Sequence, residues 1–388
     1  MDKNNISIIG GSGHVGLPLG LAFAEKGMRV NLIDINDKHN KLINNGKLPF
    51  KEKLGEKYLK KALKKKIIYA SNNLNNCKLS KYIIICIGTP VNKKLKPEKK
   101  LFINFFHKLK KYINKDHIII IRSSVYPGIC QKIFDILKHK NNNISYCPER
   151  IVQGKSLIEL SKLPQIVSGF NSLSLKNSQN LFKKISKKII ITSIEEAELI
   201  KLFSNAYRYI HFSISNQFYK ICNDLNLDYN LIRKNMIDGY ERNKNIPSQG
   251  FTSGPCLLKD TMQLASFCKE KFDLGYSAMR INESLPISLL SKIKNLSKKK
   301  VGVLGLAFKA ETDDIRDSLS IKLINYLKKR KIKFLANDPY VKLSYNSNLK
   351  KVIKNSDIIV IATPHKKYKK IKIPKKKFVI DVWNIVNK

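Results

Sequence analysis

Acidic residues are scarce in this 388-residue chain: 29 Asp and Glu stand against 74 Lys and Arg, for a net charge of +45. Arginine is scarce too, at nine of those 74 basic residues. Proteins that read base edges favour the planar, bidentate guanidinium, so a lysine-dominated excess argues against specific nucleic-acid recognition. The lysines run the whole length beside abundant Asn and Ile, as codon drift in an A/T-rich genome would produce, and no nucleic-acid-binding motif accompanies them. Weak, non-specific attraction to polyanions at low salt is all the charge implies. The seven cysteines form no CxxC pair and no metal-ligand or disulfide spacing. That excludes a zinc ribbon or a disulfide scaffold and suits a reducing compartment. No apolar run approaches the ~20 residues of a membrane helix. Met1-Asp2-Lys3-Asn4-Asn5 leads straight into a strand, without room for a signal peptide, so the expected location is cytoplasmic, with no membrane partner.

What is present is a 43% apolar share, ordinary for globular proteins, and a length that suits roughly two to three domains. Short β-rich runs at Ile6–Ile9, Val30–Ile33, Ile83–Ile87, Ile118–Ile121 and Ile144–Cys147 alternate with helix-like stretches at Gly16–Lys26, Phe102–Ile113 and Cys130–Lys138. Such alternation predicts βαβ units and a parallel sheet. Runs at Gln165–Ser168 and Ile189–Thr192 extend this part to residue 192. From Glu195 to Asn226 there is neither Gly nor Pro, and Leu199, Leu202, Phe203, Ala206, Ile210, Ile214, Phe218 and Ile221 recur at helical spacing. Ser193 reads as the N-cap, with acids in the first turn. A second α/β pattern follows residue 298, with strands at Val301–Leu306, Lys331–Asn337, Asp357–Thr363 and Phe378–Val382 and a helix at Ser318–Lys329. The run Tyr82 to Thr89-Pro90 is echoed by Asp357 to Thr363-Pro364. The fold class is therefore α/β: two Rossmann-like, doubly wound parallel-sheet domains (1–192 and 298–388) joined by a helical middle (193–297) with one long helix. That helix is too long and apolar to be covered by one small domain, which predicts a homodimer or higher homo-oligomer.

Two motifs suggest chemistry. Gly11-Ser12-Gly13-His14-Val15-Gly16 follows a strand and opens a helix, the setting in which G-x-G-x-x-G binds a dinucleotide. Gly11 permits the tight turn, Gly13 lets a pyrophosphate approach the backbone, and Gly16 allows helix–strand packing. Asp34 ends the second strand about 20 residues on, where a carboxylate accepts from a ribose 2′-OH and repels a 2′-phosphate, favouring NAD over NADP. Far downstream, Ser253-Gly254-Pro255-Cys256-Leu257-Leu258-Lys259-Asp260 holds a cysteine in a Gly/Pro-shaped turn, a setting that suits a nucleophile. Together they suggest a dehydrogenase that holds its substrate covalently while oxidising it.

In this order and at these separations, the motifs resemble those of the UDP-glucose/GDP-mannose (nucleotide-sugar) dehydrogenase family over nearly the whole chain. The resemblance is carried by Gly13-His14-Val15-Gly16-Leu17-Pro18, Gly88-Thr89-Pro90, Ser123-Ser124-Val125-Tyr126-Pro127-Gly128 and Cys147-Pro148-Glu149-Arg150. It continues through Lys201 and Asn205, Cys256 and Asp260, Arg280-Ile281-Asn282-Glu283, Gly305-Leu306-Ala307-Phe308-Lys309, and Asp313-Asp314-Ile315-Arg316. It implies oxidation of a UDP-sugar at C6 to the carboxylate, with two NAD reduced and no metal. Cys256 would trap the aldehyde as a thiohemiacetal and then carry a thioester. Lys201 would stabilise charge on oxygen, with Asn205 adding a donor. Asp260 and Glu149 would orient or deprotonate water, and Ser124 would position it. Gly11, Gly13, His14, Val15, Gly16, Asp34, Thr89, Pro90, Ser124 and Lys259 are the expected cofactor contacts. Glu149, Arg150, Lys201, Asn205, Arg242, Lys309 and Arg316 are the expected substrate contacts.

Two departures stand out. The cysteine loop lacks the family's Gly-Gly and its Pro two residues after the cysteine. Gln153 stands where glucose-type members carry a second Glu, and Pro148-Glu149-Arg150 is more like members acting on N-acetylhexosamines. UDP-glucose remains the runner-up, and a binding protein that has lost catalysis or a single-step hydroxyacid dehydrogenase are the readings from other classes. Without the resemblance, Lys201 and Asn205 read as ordinary polar helix positions, Glu149 as a helix-start acid and Asp260 as a first-turn carboxylate. Cys86, Cys147 and Cys222 read as core, and His365 as structural or at the nucleotide edge.

Overall fold

The computed structural model describes residues 2–92, 94–269, 271–291 and 293–386. The outer limits of the expected first and last segments, Met1 and Lys388, lie outside them. The chain packs as two compact units divided between Ser204 and Asn205, so the helical middle straddles the division.

In the N-terminal unit, β1 (Asp2–Ile9), α1 (Gly16–Glu25), β2 (Arg29–Ile33), α2 (Asp37–Asn44), α3 (Gly55–Lys64) and β3 (Ile68–Ser71) form the first half. The second half runs β4 (Ser80–Ile85), α4 (Lys99–Leu109), β5 (Ile118–Ile121), α5 (Ile129–Leu137), β6 (Ile144–Tyr146), α6 (Ser156–Lys162), β7 (Gln165–Gly169), α7 (Ser172–Lys183) and β8 (Ile189–Ile191). The eight strands lie in the order β3-β2-β1-β4-β5-β6-β7-β8. All neighbours are parallel except β6 and β7, which pair antiparallel through Ser145–Gly169 and Tyr146–Ser168. The doubly wound parallel sheet expected is thus present, with one antiparallel pair that the sequence did not announce. A strand pair with opposite directions needs no crossover of fixed hand, and hydrophobic runs look alike in either direction. Both faces of the sheet are covered, which is why its strands read as unbroken apolar runs. Along β5, Ile118 and Ile120 enter one core layer while Ile119 and Ile121 enter the other.

α8 (Ile194–Asp224) follows. Its start is a capping box: Ser193 Oγ accepts from Glu196 N, and Glu196 Oε2 accepts from Ser193 N. The C-terminal unit adds α9 (Tyr229–Ile237), α10 (Leu257–Phe267) and α11 (Asp273–Ser291). It then builds β9 (Val301–Leu304), α12 (Leu319–Lys329), β10 (Phe334–Asn337), α13 (Leu349–Asn355), β11 (Ile358–Ile361) and β12 (Phe378–Asp381). These four strands form a parallel sheet in the order β10-β9-β11-β12. Ser318 caps α12 by accepting from Ser320 N at 3.2 Å.

Candidate active site

In a parallel α/β sheet, ligands sit at the carboxyl ends of the strands. The turn after β1 has the shape a pyrophosphate needs. A Cβ on Gly11 would lie 2.6 Å from Ile8 O, and one on Gly16 would lie 2.3 Å from Gly10 O, so neither position tolerates a side chain. Gly13 is the open one, its nearest neighbour being Gly10 O at 3.3 Å. Val15 stands at the N-cap of α1, whose N-terminus offers N–H donors and positive dipole to an anion. At the end of β2 the Asp34 carboxylate is aimed at this loop, accepting from Ser12 N at 3.1 Å and Asn36 N at 3.0 Å. The His14 ring packs at a tilt against Phe50 with centroids 3.9 Å apart, and its Nδ1 lies 2.5 Å from Gln153 Nε2. Thr89 Oγ1 donates to the Ser124 carbonyl at 2.5 Å, tying together the loops that follow β4 and β5. Pro90 lies exposed in the first of these loops.

Arg122 was not singled out from the sequence. It follows β5 and is 1% exposed. Its guanidinium forms an ion pair with Glu149, which is itself buried, and donates to Cys147 O at 3.0 Å and Gln165 Oε1 at 2.7 Å. Glu149 Oε1 accepts from Arg150 N at 2.7 Å and Ile151 N at 3.1 Å. The expected substrate ligand Arg150 gives one arm of its guanidinium to Pro164 O at 2.6 Å. Burial lowers its pKa, with Arg122 adding to that effect and Glu149 opposing it. The one sequence signal for Arg122 was a lone charge closing a run of isoleucines.

Glu198, buried on α8, was also missed. Its carboxylate accepts from Gly128 N at 2.6 Å and Cys130 N at 2.9 Å, capping α5 and anchoring α8 to the Ser123–Gly128 loop. Lys201 lies one turn further along the same face, 8% exposed, and Asn205 another turn on, 7% exposed.

In the C-terminal unit, Cys256 is exposed and stands at the N-cap of α10. It is the one cysteine of the seven that is exposed. Burial pushes the thiols of Cys77, Cys86 and Cys147 up to about 12, which makes them inert; Cys77 and Cys147 are buried, whereas Cys86, expected in the core, is half-buried against it. One turn into α10, Asp260 is fully buried. Asp260 Oδ2 accepts from Asn205 Nδ2 at 2.5 Å, and Oδ1 pairs with Lys259 Nζ at 2.7 Å. Lys259, expected at the cofactor, is thus engaged beneath the cysteine.

The loop before Cys256 is held from several sides. Asn216 accepts from Gly250 N at 2.8 Å, donates to Gly250 O at 3.0 Å and donates to Asn282 at 2.8 Å. A Cβ on Gly250 would meet the Trp383 ring at 2.3 Å. Gly254 has φ +107°, and a Cβ there would lie 2.4 Å from the Phe308 ring. That is the physical reason for glycine at this point despite the loop's departure from the family pattern.

Phe308 belongs to the loop after β9, which also carries the expected ligands Lys309 and Arg316. Lys309 is half-buried, its carbonyl accepting from Thr312 at 3.0 Å. The Arg316 guanidinium lies along Asp314, with Nη2 to Oδ2 at 2.6 Å. Partial desolvation opposes its charge, but the side chain is more than half exposed, and Asp314 with the nearby Cys256 sulfur raises its pKa. Arg242 is exposed, its guanidinium 5.5 Å from the Tyr240 ring centroid. His365 is fully buried: Nδ1 accepts from Glu311 N at 3.0 Å and Nε2 faces Asp338 Oδ2 at 3.1 Å. Burial would raise the Asp338 carboxyl, but His365 and backbone donors outweigh it and hold it at about 2. His365 is thereby a structural group. Among the described residues no group of three or more His, Cys, Asp or Glu side chains is placed to hold a metal ion.

Comparison with known proteins matches three consecutive segments to the UDP-glucose/GDP-mannose dehydrogenase family. Residues 4–190 match its NAD binding domain, 195–284 its central domain and 302–388 its UDP binding domain. The chain is 31% identical to the UDP-N-acetyl-D-mannosamine dehydrogenase of Methanococcus vannielii, over 97% of this chain and 92% of that one. It is 28% identical to the UDP-glucose 6-dehydrogenase of Rickettsia prowazekii, over 99% and 96%. Among solved structures, the UDP-D-ManNAc dehydrogenase of Pyrococcus horikoshii superposes with a TM-score of 0.87 at 27% identity, covering 95% of this chain and 91% of that one.

Proposed function

The chain belongs to the UDP-glucose/GDP-mannose dehydrogenase family and is an NAD-dependent oxidoreductase of UDP-sugars, and from that premise we propose that it oxidises a UDP-N-acetylhexosamine twice at C6, to the uronate, in the cytoplasm. The observation that carries the two-step reading is Cys256, exposed at the start of α10 above a buried Asp260–Asn205 pair. Bound NAD supplies the hydride acceptor for each oxidation. Loss of the first hydride and of the hydroxyl proton gives an aldehyde, to whose carbon the Cys256 sulfur adds. Loss of the second hydride from the thiohemiacetal gives a thioester, which water cleaves, returning the thiol. Lys201 stabilises the oxyanion at each tetrahedral stage, assisted by Asn205 and by the positive end of α10. Asp260 and Glu149 are the carboxylates that act on water, and Ser124 positions it. Lys309, Arg316 and Arg150 serve the UDP-sugar.

Asp34 is assigned to the adenosine ribose. Asp34→Ala is expected to weaken NAD binding by roughly 1–3 kcal/mol, the scale of lost hydrogen bonds to a charged acceptor, and to relax the bias against NADP. Titration with both cofactors tests this; unchanged affinity and selectivity would remove the assignment.

The N-acetyl preference is supported by the Pro148-Glu149-Arg150 form, by Gln153 in place of an acid, and by the likeness to N-acetylmannosamine dehydrogenases. Gln153 keeps its amide against His14, so the segment after Glu149 carries a neutral side chain there. An extra carboxylate for glucose hydroxyls or water is therefore lacking. UDP-N-acetylmannosamine or UDP-N-acetylglucosamine is expected to exceed UDP-glucose in kcat/KM by well over tenfold, since mismatched hydrogen bonds can discriminate by up to ~10⁴-fold. NADH formation and product mass across the three sugars decide it. A tenfold advantage for UDP-glucose would leave the family assignment standing and overturn the substrate.

We further infer a homodimer. Tyr207, Ile214, Phe218 and Ile221 form an exposed apolar stripe along α8, continued by Leu225 just past its end, that a second copy would bury. Exposed Arg242 lies in the segment beyond it, available to the partner's substrate. Light scattering at micromolar concentration is expected to give twice the chain mass of 44.5 kDa. A fully active monomer rules this out.

A further inference from the structure

The buried cation beneath Glu149 has no part in the chemistry assigned so far. Arg122 sits at the carboxyl end of β5, with a side chain of 0% exposure. Its orientation is fixed through a chain of bonds. Gln165 Nε2 donates to Leu163 O at 3.2 Å, which turns Gln165 Oε1 toward the guanidinium. Arg122 Nη2 donates to that oxygen at 2.7 Å, while Nη1 donates to Cys147 O at 3.0 Å. The Phe182 ring closes the other side, 4.6 Å from the guanidinium carbon. The cation therefore has one place to be, and it meets Glu149 Oε2 there.

The carboxylate has four lone-pair sites. Both sites on Oε1 are taken by the N–H groups of Arg150 and Ile151. One site on Oε2 is taken by Arg122. One remains. We propose that Arg122 is a positioning residue for the oxidation: it pins Glu149 so that the carboxylate offers a single acceptor, on Oε2, which orients one O–H group without removing its proton. The group is a hydroxyl of the sugar or the water that cleaves the thioester. All three N–H donors already on the carboxylate are oriented to its ionised form, and the open site on Oε2 is where the O–H hydrogen bond is received. A lysine in place of Arg122 cannot reproduce this, because a point charge cannot serve Glu149, Gln165 and Cys147 O in one plane. The inference rests on the reading that Glu149 takes part in turnover.

A mutant cycle on the full-length enzyme with NAD and a UDP-N-acetylhexosamine tests it. Glu149→Gln, Arg122→Met, Arg122→Lys and the Arg122→Met/Glu149→Gln double variant are compared, with NAD affinity as the check on folding. Glu149→Gln and Arg122→Met are each expected to lower turnover by about 10²-fold, the cost of an ångström-scale misplacement near the reacting atoms. The double variant should then lie within threefold of Glu149→Gln alone, and Arg122→Lys should recover only part of the loss. If the single variant Arg122→Met fails to fold because it strands a buried carboxylate, the comparison of Glu149→Gln with the double variant, which removes both charges, still decides the matter. Accumulation of acyl-enzyme trapped by hydroxylamine assigns the oriented O–H to water. A raised KM without accumulation assigns it to the sugar, and either result supports the positioning role. Multiplicative losses in the double variant, or wild-type turnover in Arg122→Met, overturn it while leaving Glu149 in place. Wild-type turnover in Glu149→Gln removes Glu149 from the reaction and the role of Arg122 with it.

Discussion

Cys256→Ser is expected to cut release of the uronate by about 10³-fold or more, the scale seen when a covalent nucleophile is removed. NAD binding should persist, because Cys256 belongs to the C-terminal unit and the Gly11–Gly16 turn to the other. The exchange alters one atom at an exposed N-cap, and serine is a good N-cap, so the loop should keep its shape. What changes is the chemistry. A hydroxyl adds to an aldehyde far less readily than a thiolate, and its oxygen ester resists the water that cleaves a thioester. The product mixture should contain little acid, and at most the first equivalent of NADH should form. Near-normal uronate, measured by mass against NADH, would sink the covalent route.

Lys201→Met should lower kcat by about 10² to 10³-fold, the cost of losing one oxyanion donor. Methionine keeps the buried stem filled, so the helix and NAD affinity should hold. Lys201→Arg is expected to rescue poorly, since a planar fork delivers its charge and donors differently from the point charge of an ammonium. The decisive comparison is kcat against the NAD dissociation constant in the same preparation. A Lys201→Met enzyme within threefold of wild type would return Lys201 to the ordinary polar face of an amphipathic helix.

Most of the sheet could be read from the sequence, because a buried strand is a local pattern. Ile118–Ile121 begins and ends where the run does, and the helix expected from Ser318 starts one residue later, with Ser318 as its cap. The antiparallel course of β7 could not be read, since its residues are apolar in either direction. The helices α3 and α7 were passed over. Lysine-rich faces hide the buried Leu59 and Ala62 of the one, and serines the buried Leu181 and Phe182 of the other. The same contrast holds at the site. The Gly11–Gly16 turn and Asp34 announce themselves by spacing along the chain. Arg122 and Glu149 are 27 residues apart, Glu198 and Gly128 70, and no local pattern joins them. Gly254 was visible as a glycine, but the Phe308 ring that requires it was not.

The walls of the cysteine loop set an order of maturation. Gly250 is shaped to Trp383 and Gly254 to Phe308, both far downstream of the cysteine they frame. A chain leaving the ribosome completes its N-terminal sheet long before either ring has been made, and domains fold as units in that order. The dinucleotide fold is thus finished first, and Cys256 gains its seat only when the second sheet closes over the loop. A nascent chain stalled between the two would hold a finished cofactor fold while the Cys256 loop still lacked its walls.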